Sequence, residues 1–219
     1  MRIAIDGPAG AGKSTVAKKL AQRLGLTYVD TGAMYRAVAL AAIKAGISCE
    51  DEEDLARLVQ TLKIEFGRSE DGETAVYLDG QEVSREIRTP DVSRCVSLVA
   101  RVPVVRRYLT EKQRQLAAGS GVVMEGRDIG TVVLPDAEKK FFLTASVEER
   151  ARRRFLETAR DGYNVTLADQ IKEIVRRDTF DTQRKVAPLT PAPDAVVIDT
   201  TEKSPDEVVE MILAQVQGG

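Results

Sequence analysis

Residues 7–14 of this chain read GPAGAGKS, which fits the phosphate-binding pattern GxxxxGK[ST] at every specified position. The glycines allow backbone N–H groups to close around a phosphate, Lys13 brings a positive charge to it, and the Ser14 hydroxyl can face Mg²⁺. Residues 2–5 predict a buried strand before this loop, and Lys13–Leu24 predict a helix after it. A strand, a glycine-rich loop and a helix in this order indicate a site for a nucleoside triphosphate.

Composition limits the class of protein. The chain has 219 residues, of which 43% are hydrophobic, so we expect one substantial core with inserts. Its formal net charge is -2, which provides no global attraction for nucleic acid or for an anionic membrane. Apolar runs of the roughly 20 residues that a membrane span needs are absent, and the N-terminus lacks the plan of a signal peptide. We therefore expect a soluble, cytoplasmic monomer with no nucleic-acid or membrane partner.

Residue types that are missing or rare exclude further chemistry. Histidine is absent, which excludes a Ser/His/Asp triad, an imidazole base and histidine-ligated metals. Cys49 and Cys95 are too few for a disulfide framework or a zinc site, and we expect them to be reduced and without a role. Asn164 is the sole asparagine and is followed by Val165, so the guanine-reading motif NKxD of GTPases cannot occur.

Short β-branched or aromatic runs alternate with helical patterns along most of the chain. This alternation predicts an α/β fold with a parallel sheet covered by helices, whose strands we expect at 2–5, 27–29, 122–124, 140–143 and 196–198. Two helices have clear start signals, a capping box of Ser146 with Glu149 and a cap at Ser204 followed by proline.

Two regions depart from the alternating pattern. Residues 63–83 predict an antiparallel meander with a tight turn at Asp79-Gly80. The arginine-rich segment from Glu148 to Asp161 has the composition of a lid over phosphates. We expect a core of 1–30, 120–147 and 166–219, an α+β insert over 31–119 and a lid over 148–165, all within one domain.

Five stretches in order along the chain carry a resemblance to a known family. They read IDGPAGAGKST, DTGAMYR, IRT, GRDIGTVV and RKVAPL, and they extend from the first strand almost to the last. The chain thereby resembles the P-loop nucleoside monophosphate kinases, and most closely the bacterial-type cytidylate kinases. This resemblance implies a P-loop NTPase fold with a five-stranded parallel sheet, a monophosphate-binding insert and a short helical lid. It also implies ATP with Mg²⁺ as phosphoryl donor and CMP, with dCMP, as acceptor.

The resemblance implies a role for each candidate residue. ATP would be bound by Gly7, Pro8, Ala9, Gly10, Ala11, Gly12, Lys13, Ser14, Thr15 and Arg150, with Ser14 also on the metal. The groups that stabilise the transferred phosphoryl would be Lys13, Arg127, Arg177 and Arg154. The acceptor would be bound by Thr31, Arg36, Ser97, Arg106, Arg127, Asp128, Arg177, Asp181 and Arg184. Guanidinium groups suit this task because they present a planar fork to phosphate oxygens and stay charged.

Base recognition would come from Ser97, Arg106 and Asp128. Cytosine offers an amine donor beside a ring-nitrogen acceptor, which a carboxylate and a guanidinium complement, whereas uracil presents the reverse pattern. We expect Thr31, which stands where many relatives carry serine, to keep a phosphate or helix-cap contact, and Asp181 to meet the ribose hydroxyls.

Plainer structural interpretations stay open for several of these residues. Arg177, Asp181 and Arg184 have the i, i+4, i+7 spacing of a surface salt-bridge row. Asp128 suits a helix cap or an ion pair with Arg127, and Ser97 suits an ordinary helix position. The lid arginines Arg150, Arg153 and Arg154 can share one helix face, which fits either a grip on the γ-phosphate or a solvated surface.

Two other functions are compatible with the glycine-rich loop alone. One is a kinase of another small acceptor, such as a shikimate-type kinase, and the other is a non-catalytic ATP-dependent binding module. Phosphoryl transfer needs alignment and charge stabilisation more than acid–base chemistry, so the absence of histidine is compatible with a kinase.

Overall fold

The structure is a computed structural model, and it describes residues 1–68, 74–119, 121–160 and 162–218. Residues 69–73 of the expected meander and Asp161 of the arginine-rich segment lie outside the described residues. The chain forms two compact units, a first unit of Met1–Tyr28 with Ala117–Gly219 and a second unit of Val29–Leu116.

Strands and helices alternate along most of the described chain. The strands are β1 (Arg2–Asp6), β2 (Thr27–Asp30), β3 (Ile64–Arg68), β4 (Thr74–Leu78), β5 (Gln81–Glu82), β6 (Val122–Gly126), β7 (Lys139–Thr144) and β8 (Val196–Asp199). The helices are α1 (Lys13–Leu24), α2 (Thr31–Lys44), α3 (Glu52–Thr61), α4 (Pro90–Val99), α5 (Pro103–Ala117), α6 (Val147–Arg160), α7 (Leu167–Gln183) and α8 (Pro205–Gln217). A 3₁₀ turn covers Glu86–Arg88, and a π-helix covers Ile129–Val133.

A five-stranded sheet organises the first unit, with the strand order β2-β6-β1-β7-β8. β1 lies at its centre and pairs in parallel with β6 and β7, and β7 pairs in parallel with β8. The register aligns Asp6 with Gly126 and with Phe142, so the loops that leave the carboxyl ends of these strands begin at the same edge of the sheet. The predicted α/β fold with a parallel sheet is confirmed, and each strand extends one or two residues beyond its predicted range.

Helices α1 and α8 cover this sheet through the faces that the apolar spacing predicts. Val16 and Leu20 of α1 pack with Ile212 of α8 against Ile3 and Phe141 of the strands. Each such aliphatic side chain contributes about 1.5–3 kcal/mol when it is fully removed from water. This core fixes the start of α1 directly beneath the loop of residues 7–12.

Of the two predicted helix starts, the one at Ser204 is confirmed and the one at Ser146 is confirmed only in part. The Ser204 side chain accepts the N–H of Glu207, whose carboxylate accepts the backbone N–H of Ser204, so the capping box of α8 is complete. At α6 the Glu149 N–H donates to Ser146 Oγ at 3.2 Å, but the Glu149 carboxylate binds arginines instead of the Ser146 backbone. The predicted box at Ser146 is therefore only half formed, because arginines one turn further along compete for the carboxylate.

The second unit combines helices α2 to α5 with an antiparallel sheet of order β3-β4-β5. The strands β4 and β5 meet at a two-residue turn in which both Asp79 (φ 50°) and Gly80 (φ 82°) have positive φ. Such a turn matches the twist of the flanking strands, and it favours Asp-Gly because glycine has no penalty at positive φ. The predicted meander and its tight turn are confirmed over the described residues.

One expectation for the second unit is wrong. Cys49 and Cys95 form a disulfide with Cα atoms 5.6 Å apart, within the range that disulfides require. The two cysteines are separated by 46 residues, and only the packing of α4 on α2 and its following loop brings them together. The sequence contains no local signal for that packing, so the cysteines were expected to be reduced.

Among the described residues, none of the helices combines the length and the apolar character that crossing a bilayer requires.

Candidate active site

The loop that follows β1 takes a path that requires glycine at its first position. Gly7, Gly10 and Gly12 all have positive φ values, of 146°, 79° and 85°. A Cβ on Gly7 would lie 2.0 Å from the Leu143 carbonyl oxygen on the neighbouring strand, a distance that no side chain can occupy. Close packing against β7 therefore fixes where the loop begins, as the sequence pattern requires.

The loop ends at the N-terminus of α1, where backbone N–H groups have no helical partner and favour an anion. Lys13 is buried there, and its Nζ donates to the Pro8 carbonyl oxygen at 2.8 Å across the loop. Burial and, after it, the positive charge of Arg127 lower the pKa of Lys13 to about 7, against the opposing effect of Glu125, Asp181 and Asp6. A bound polyphosphate would favour the ammonium form because it supplies the opposite charge.

Ser14 and Thr15 occupy the first turn of α1 and are exposed. A hydroxyl at this position is a hard oxygen ligand of the type that Mg²⁺ prefers. The position of Ser14 therefore fits the metal-binding role that its place in the motif predicts.

Arg127 and Asp181 form a partly buried ion pair in the first unit. Arg127 follows β6 and donates from Nε to Asp181 Oδ2 on α7 at 2.8 Å. Burial disfavours both charges, yet Asp181 raises the pKa of Arg127, while Arg127 and Arg177 hold the pKa of Asp181 below its usual range. The pair keeps both groups charged at neutral pH and fixes the direction of the Arg127 guanidinium.

Arg177 lies beside this pair and differs from Arg127 in its bonding. Its Nε is buried and has no hydrogen-bond partner among the described residues. Burial and, after it, the neighbouring Arg127 charge lower the pKa of Arg177 to about 10, although Asp181 acts in the opposite direction. Two guanidinium groups that share one carboxylate leave an excess of buried positive charge, which suits an anionic ligand.

Asp128 and Arg184 form a second buried pair in this unit. Arg184 Nη2 lies 3.5 Å from Asp128 Oδ1, and Arg184 Nε also donates to the Ala187 carbonyl oxygen. The Asp128 side chain does not cap the following π-helix, and it forms an ion pair with Arg184. Of the plainer interpretations, the surface salt-bridge row is wrong, because Asp181 and Arg184 are buried and pair with residues near β6.

The three lid arginines do not share one set of partners. Arg150 is buried, forms a bidentate pair with Asp178 at 2.6 and 2.9 Å, and donates to the Ala9 carbonyl oxygen at 3.2 Å. Arg153 donates to the oxygens of Thr200, and Arg154 pairs with Glu157. The Arg150 side chain thus contacts the backbone of the loop of residues 7–12. The predicted role of Arg150, direct binding of ATP, did not include this contact.

The second unit holds the remaining predicted acceptor residues. Arg36 donates to Ser93 Oγ at 2.9 Å and to the Ile87 carbonyl oxygen at 3.2 Å. Arg106 is buried, donates to the Ala100 carbonyl oxygen and lies over the Tyr35 ring at 5.6 Å. Ser97 of α4 is also buried.

Thr31 is the first residue of α2 and is buried, but it does not cap the helix. The cap is Asp30, whose Oδ1 accepts the N–H of Ala33 at 3.0 Å. The helix-cap alternative for Thr31 is therefore wrong, because the acidic residue before it already fills that position.

Sequence reasoning missed two buried acids, Asp6 and Glu125. Asp6 accepts the N–H groups of Ile129 and Gly130, and Glu125 accepts the Tyr28 hydroxyl at 2.7 Å. The sequence does contain a signal for both acids, because each one ends or interrupts an otherwise apolar strand. A carboxylate buried at such a position requires hydrogen-bond partners.

The loop of residues 7–12 contains glycines at positive φ and ends at a helix N-terminus, which favours an anion. A cluster of arginine and aspartate side chains lies in the same unit. Together these features define a P-loop phosphotransferase. The fold agrees with this class. A shikimate kinase from Bacteroides thetaiotaomicron superimposes with a TM-score of 0.51 at 12% identity, covering 99% of this chain and 98% of that one. An uncharacterized protein from Eubacterium ventriosum gives a TM-score of 0.55 at 14% identity, covering 100% and 99%. Identities this low establish the fold alone.

Sequence comparison narrows the class to one family. The cytidylate kinase family model matches residues 3–218. Curated relatives named cytidylate kinase include one from Pelotomaculum thermopropionicum, 57% identical over 99% of this chain and 96% of the relative. Another, from Caldanaerobacter subterraneus subsp. tengcongensis, is 55% identical over 97% of this chain and 92% of the relative. The chain belongs to the cytidylate kinase family, whose members are nucleoside monophosphate kinases.

Proposed function

We propose that this chain transfers the γ-phosphoryl group of ATP to CMP, giving ADP and CDP, and that it also accepts dCMP. The observation that carries the proposal is the buried Nε of Arg177, which has no hydrogen-bond partner among the described residues. A buried guanidinium nitrogen without an acceptor, beside the positive charge of Arg127, is costly unless an anion is bound there. A phosphate group supplies both the charge and the acceptor oxygens.

The donor half of the site is the loop of residues 7–12 with Lys13. Backbone N–H groups at the start of α1 would surround the β-phosphate, and Lys13 would exchange its bond to Pro8 for the β- and γ-oxygens. Arg150 supports this half indirectly, because it holds the Ala9 carbonyl from outside the loop. We therefore propose that Arg150 positions the loop and that Arg154, on the same helix, is the better candidate for contact with the transferred group.

Mg²⁺ fits the donor half through the exposed hydroxyl of Ser14. When bound, the cation would neutralise charge that develops on the β- and γ-oxygens. Ser14 would hold it, and Lys13 would share the same charge from the other side of the polyphosphate.

The transfer itself needs no general base. The attacking atom is a phosphate oxygen of CMP, which is already anionic near neutral pH, and the transition state is loose with charge spread over the equatorial oxygens. Arg127 and Arg177 would stabilise that charge, with Asp181 fixing the Arg127 guanidinium and bonding the ribose hydroxyls. Positioning and charge stabilisation then account for catalysis.

The other predicted acceptor residues keep, in this proposal, the roles that the family resemblance implies. Thr31, Arg36 and Arg184 would contact the monophosphate, while Ser97, Arg106 and Asp128 would read the base. The Asp128 carboxylate would accept from the cytosine amine, whereas the O4 of uracil would be repelled by it.

A coupled assay of ADP release tests the proposal with CMP, dCMP, UMP and AMP as acceptors at saturating ATP. We expect CMP to give the highest kcat/KM, with dCMP also a substrate. Turnover with AMP or UMP equal to that with CMP would contradict the assignment. Tight ATP binding without turnover of any monophosphate would favour a non-catalytic binding module instead.

A further inference from the structure

Asp6 is a charged residue at the centre of the main sheet. It is the last residue of β1, directly before Gly7, and only 3% of its surface is exposed. β1 lies between β6 and β7, so an apolar side chain would fit the strand pattern at lower cost in desolvation. A carboxylate at this position therefore requires an explanation in terms of what it binds.

Both carboxylate oxygens of Asp6 bind the chain segment that leaves the neighbouring strand β6. Oδ1 accepts the N–H of Ile129 at 2.8 Å, and Oδ2 accepts the N–H of Gly130 at 2.7 Å. Two short bonds from a charged acceptor to consecutive N–H groups fix both the position and the orientation of the backbone there. The bonded groups open the π-helix Ile129–Val133, whose first turn closes back onto the Asp128 carbonyl oxygen.

The segment held by Asp6 carries two residues of the proposed acceptor site. Arg127 and Asp128 lie between the end of β6 and the bonded N–H groups, and Asp128 is in neither helical nor strand conformation. From this turn Arg127 reaches Asp181, and Asp128 reaches Arg184. A change in the direction of the Ile129 and Gly130 N–H groups would therefore move both side chains together.

We propose that Asp6 is a positioning residue for acceptor recognition, which holds the 127–130 turn so that the Arg127 guanidinium and the Asp128 carboxylate face the nucleoside monophosphate. The inference rests on the proposed function, because it assumes that these two side chains bind CMP. Asp6 touches neither substrate in this mechanism. It joins the loop that binds the donor to the turn that reads the acceptor, since Gly7 follows it directly in the chain.

The test replaces Asp6 with asparagine, which preserves the shape but removes the charge and replaces one acceptor oxygen with an amide NH2 group, which can only donate. One of the two backbone N–H groups then loses its acceptor. Steady-state kinetics are measured with CMP and UMP at saturating ATP, together with the KM for ATP. We expect KM for CMP to rise about 10-fold and the CMP/UMP ratio of kcat/KM to fall by about the same factor, with KM for ATP changed less than about twofold.

A matched control separates positioning from loss of stability. Ile212→Val removes a methyl group from the core of the same unit, on α8, and is expected to lower the melting temperature without changing the CMP/UMP ratio. An Asp6→Asn enzyme that melts at a lower temperature but keeps the wild-type ratio would overturn the proposal, because Asp6 would then serve stability alone.

A second variant covers the case in which Asp6→Asn does not fold. Asp6→Glu retains the charge but extends the carboxylate by one methylene, which displaces the turn, and the same fall in the CMP/UMP ratio is expected. An unchanged ratio in a folded Asp6→Glu enzyme overturns the inference. Failure of the proposed function is distinguishable, because the wild-type enzyme would then show no preference for CMP over UMP.

Discussion

Two regions of the first unit bind charge by different means. The loop of residues 7–12 is built from backbone, with glycines at positive φ and a helix N-terminus behind it. The cluster of Arg127, Arg177 and Asp181 is built from side chains, and it pairs a residue after β6 with a residue of α7 that lies 54 positions later. The loop is a local feature of one stretch of sequence, whereas the cluster exists only in the folded unit.

The difference has an energetic consequence. Backbone N–H groups at a helix end are fixed by the helix and need no further partner to hold their direction. Side-chain cations must be desolvated and oriented by carboxylates, and Arg177 remains incompletely bonded among the described residues even so. We therefore expect removal of the Lys13 charge to lower activity with little effect on stability, and removal of the Arg177 charge to lower activity without lowering stability.

Replacing Lys13 with alanine is expected to have the largest effect. Removal of the only side-chain charge supplied by residues 7–14 should lower kcat by about 10²–10³-fold, the typical loss when one donor to developing charge is removed. Unfolding by urea should be little changed, because Lys13 gains little from its costly burial. Lys19→Ala, on the exposed side of the same helix, is the control and should keep full activity. A Lys13→Ala enzyme with near-normal kcat would refute a role for the loop in catalysis.

Asp6 extends the comparison to pH, because it directly precedes the loop and binds the turn that carries Arg127. Burial raises its pKa from 3.8 to about 6, against the two backbone hydrogen bonds that lower it. Between about pH 4 and 6, Asp6 is therefore protonated in the folded state and ionised in the unfolded state. The free energy of unfolding contributed by this group falls as pH rises through that window. At about 1.4 kcal/mol per pKa unit, the loss is up to about 3 kcal/mol.

The measurement for Asp6 is the free energy of unfolding of wild type minus that of Asp6→Asn across pH 4–8. We expect this difference to fall as pH rises to about 6 and then to level off. A difference that stays constant with pH would show that the carboxylate does not titrate in this window.

Replacing Arg177 with methionine tests whether the cluster exchanges stability for function. We expect kcat/KM for CMP to fall about 100-fold, because a cation on the transferred group is lost. The free energy of unfolding should not fall, since an incompletely bonded buried charge is removed and the aliphatic volume is retained. Arg176→Met, at the neighbouring surface position paired with Glu173, should leave kinetics unchanged. If Arg177→Met lowers the free energy of unfolding as well as kcat/KM, Arg177 would stabilise the fold, and the proposed exchange of stability for function would be wrong.

Replacing Asp128 with alanine should have the smallest and most selective effect. The CMP/UMP ratio of kcat/KM is expected to fall by about 10-fold, while KM for ATP changes much less. Assays with both acceptors and varied ATP give both quantities from one preparation. A CMP/UMP ratio equal to that of wild type would remove Asp128 from the base-reading role.

Local patterns in the sequence predicted the backbone-built parts correctly. The helix of residues 13–24, the parallel strands and the Asp79-Gly80 turn all follow from spacing and residue type within short windows. Each depends on backbone preferences and on one apolar face, which short windows contain in full. The glycine pattern also gave the loop of residues 7–12 its chemistry.

Partners distant in sequence could not be predicted in the same way. The pairing of Arg150 with Asp178, of Asp128 with Arg184 and of Cys49 with Cys95 depends on how elements pack. No periodicity within α6 distinguishes Arg150, which is buried, from Arg152, which is exposed to solvent and paired along the helix. The buried acids Asp6 and Glu125 were missed because strand patterns were used only to find apolar positions.

Arg150 and Arg153 make the first two turns of α6 intolerant of insertions and deletions. Arg150 contacts Ala9 and Asp178, and Arg153 contacts Thr200, so two neighbouring elements fix the rotation of the helix about its axis. One added residue before Arg150 would turn that face by about 100° and separate both contacts at once. Length variation among natural or engineered variants should therefore be confined to the part of the helix beyond Arg154, where the described bonds are local to α6.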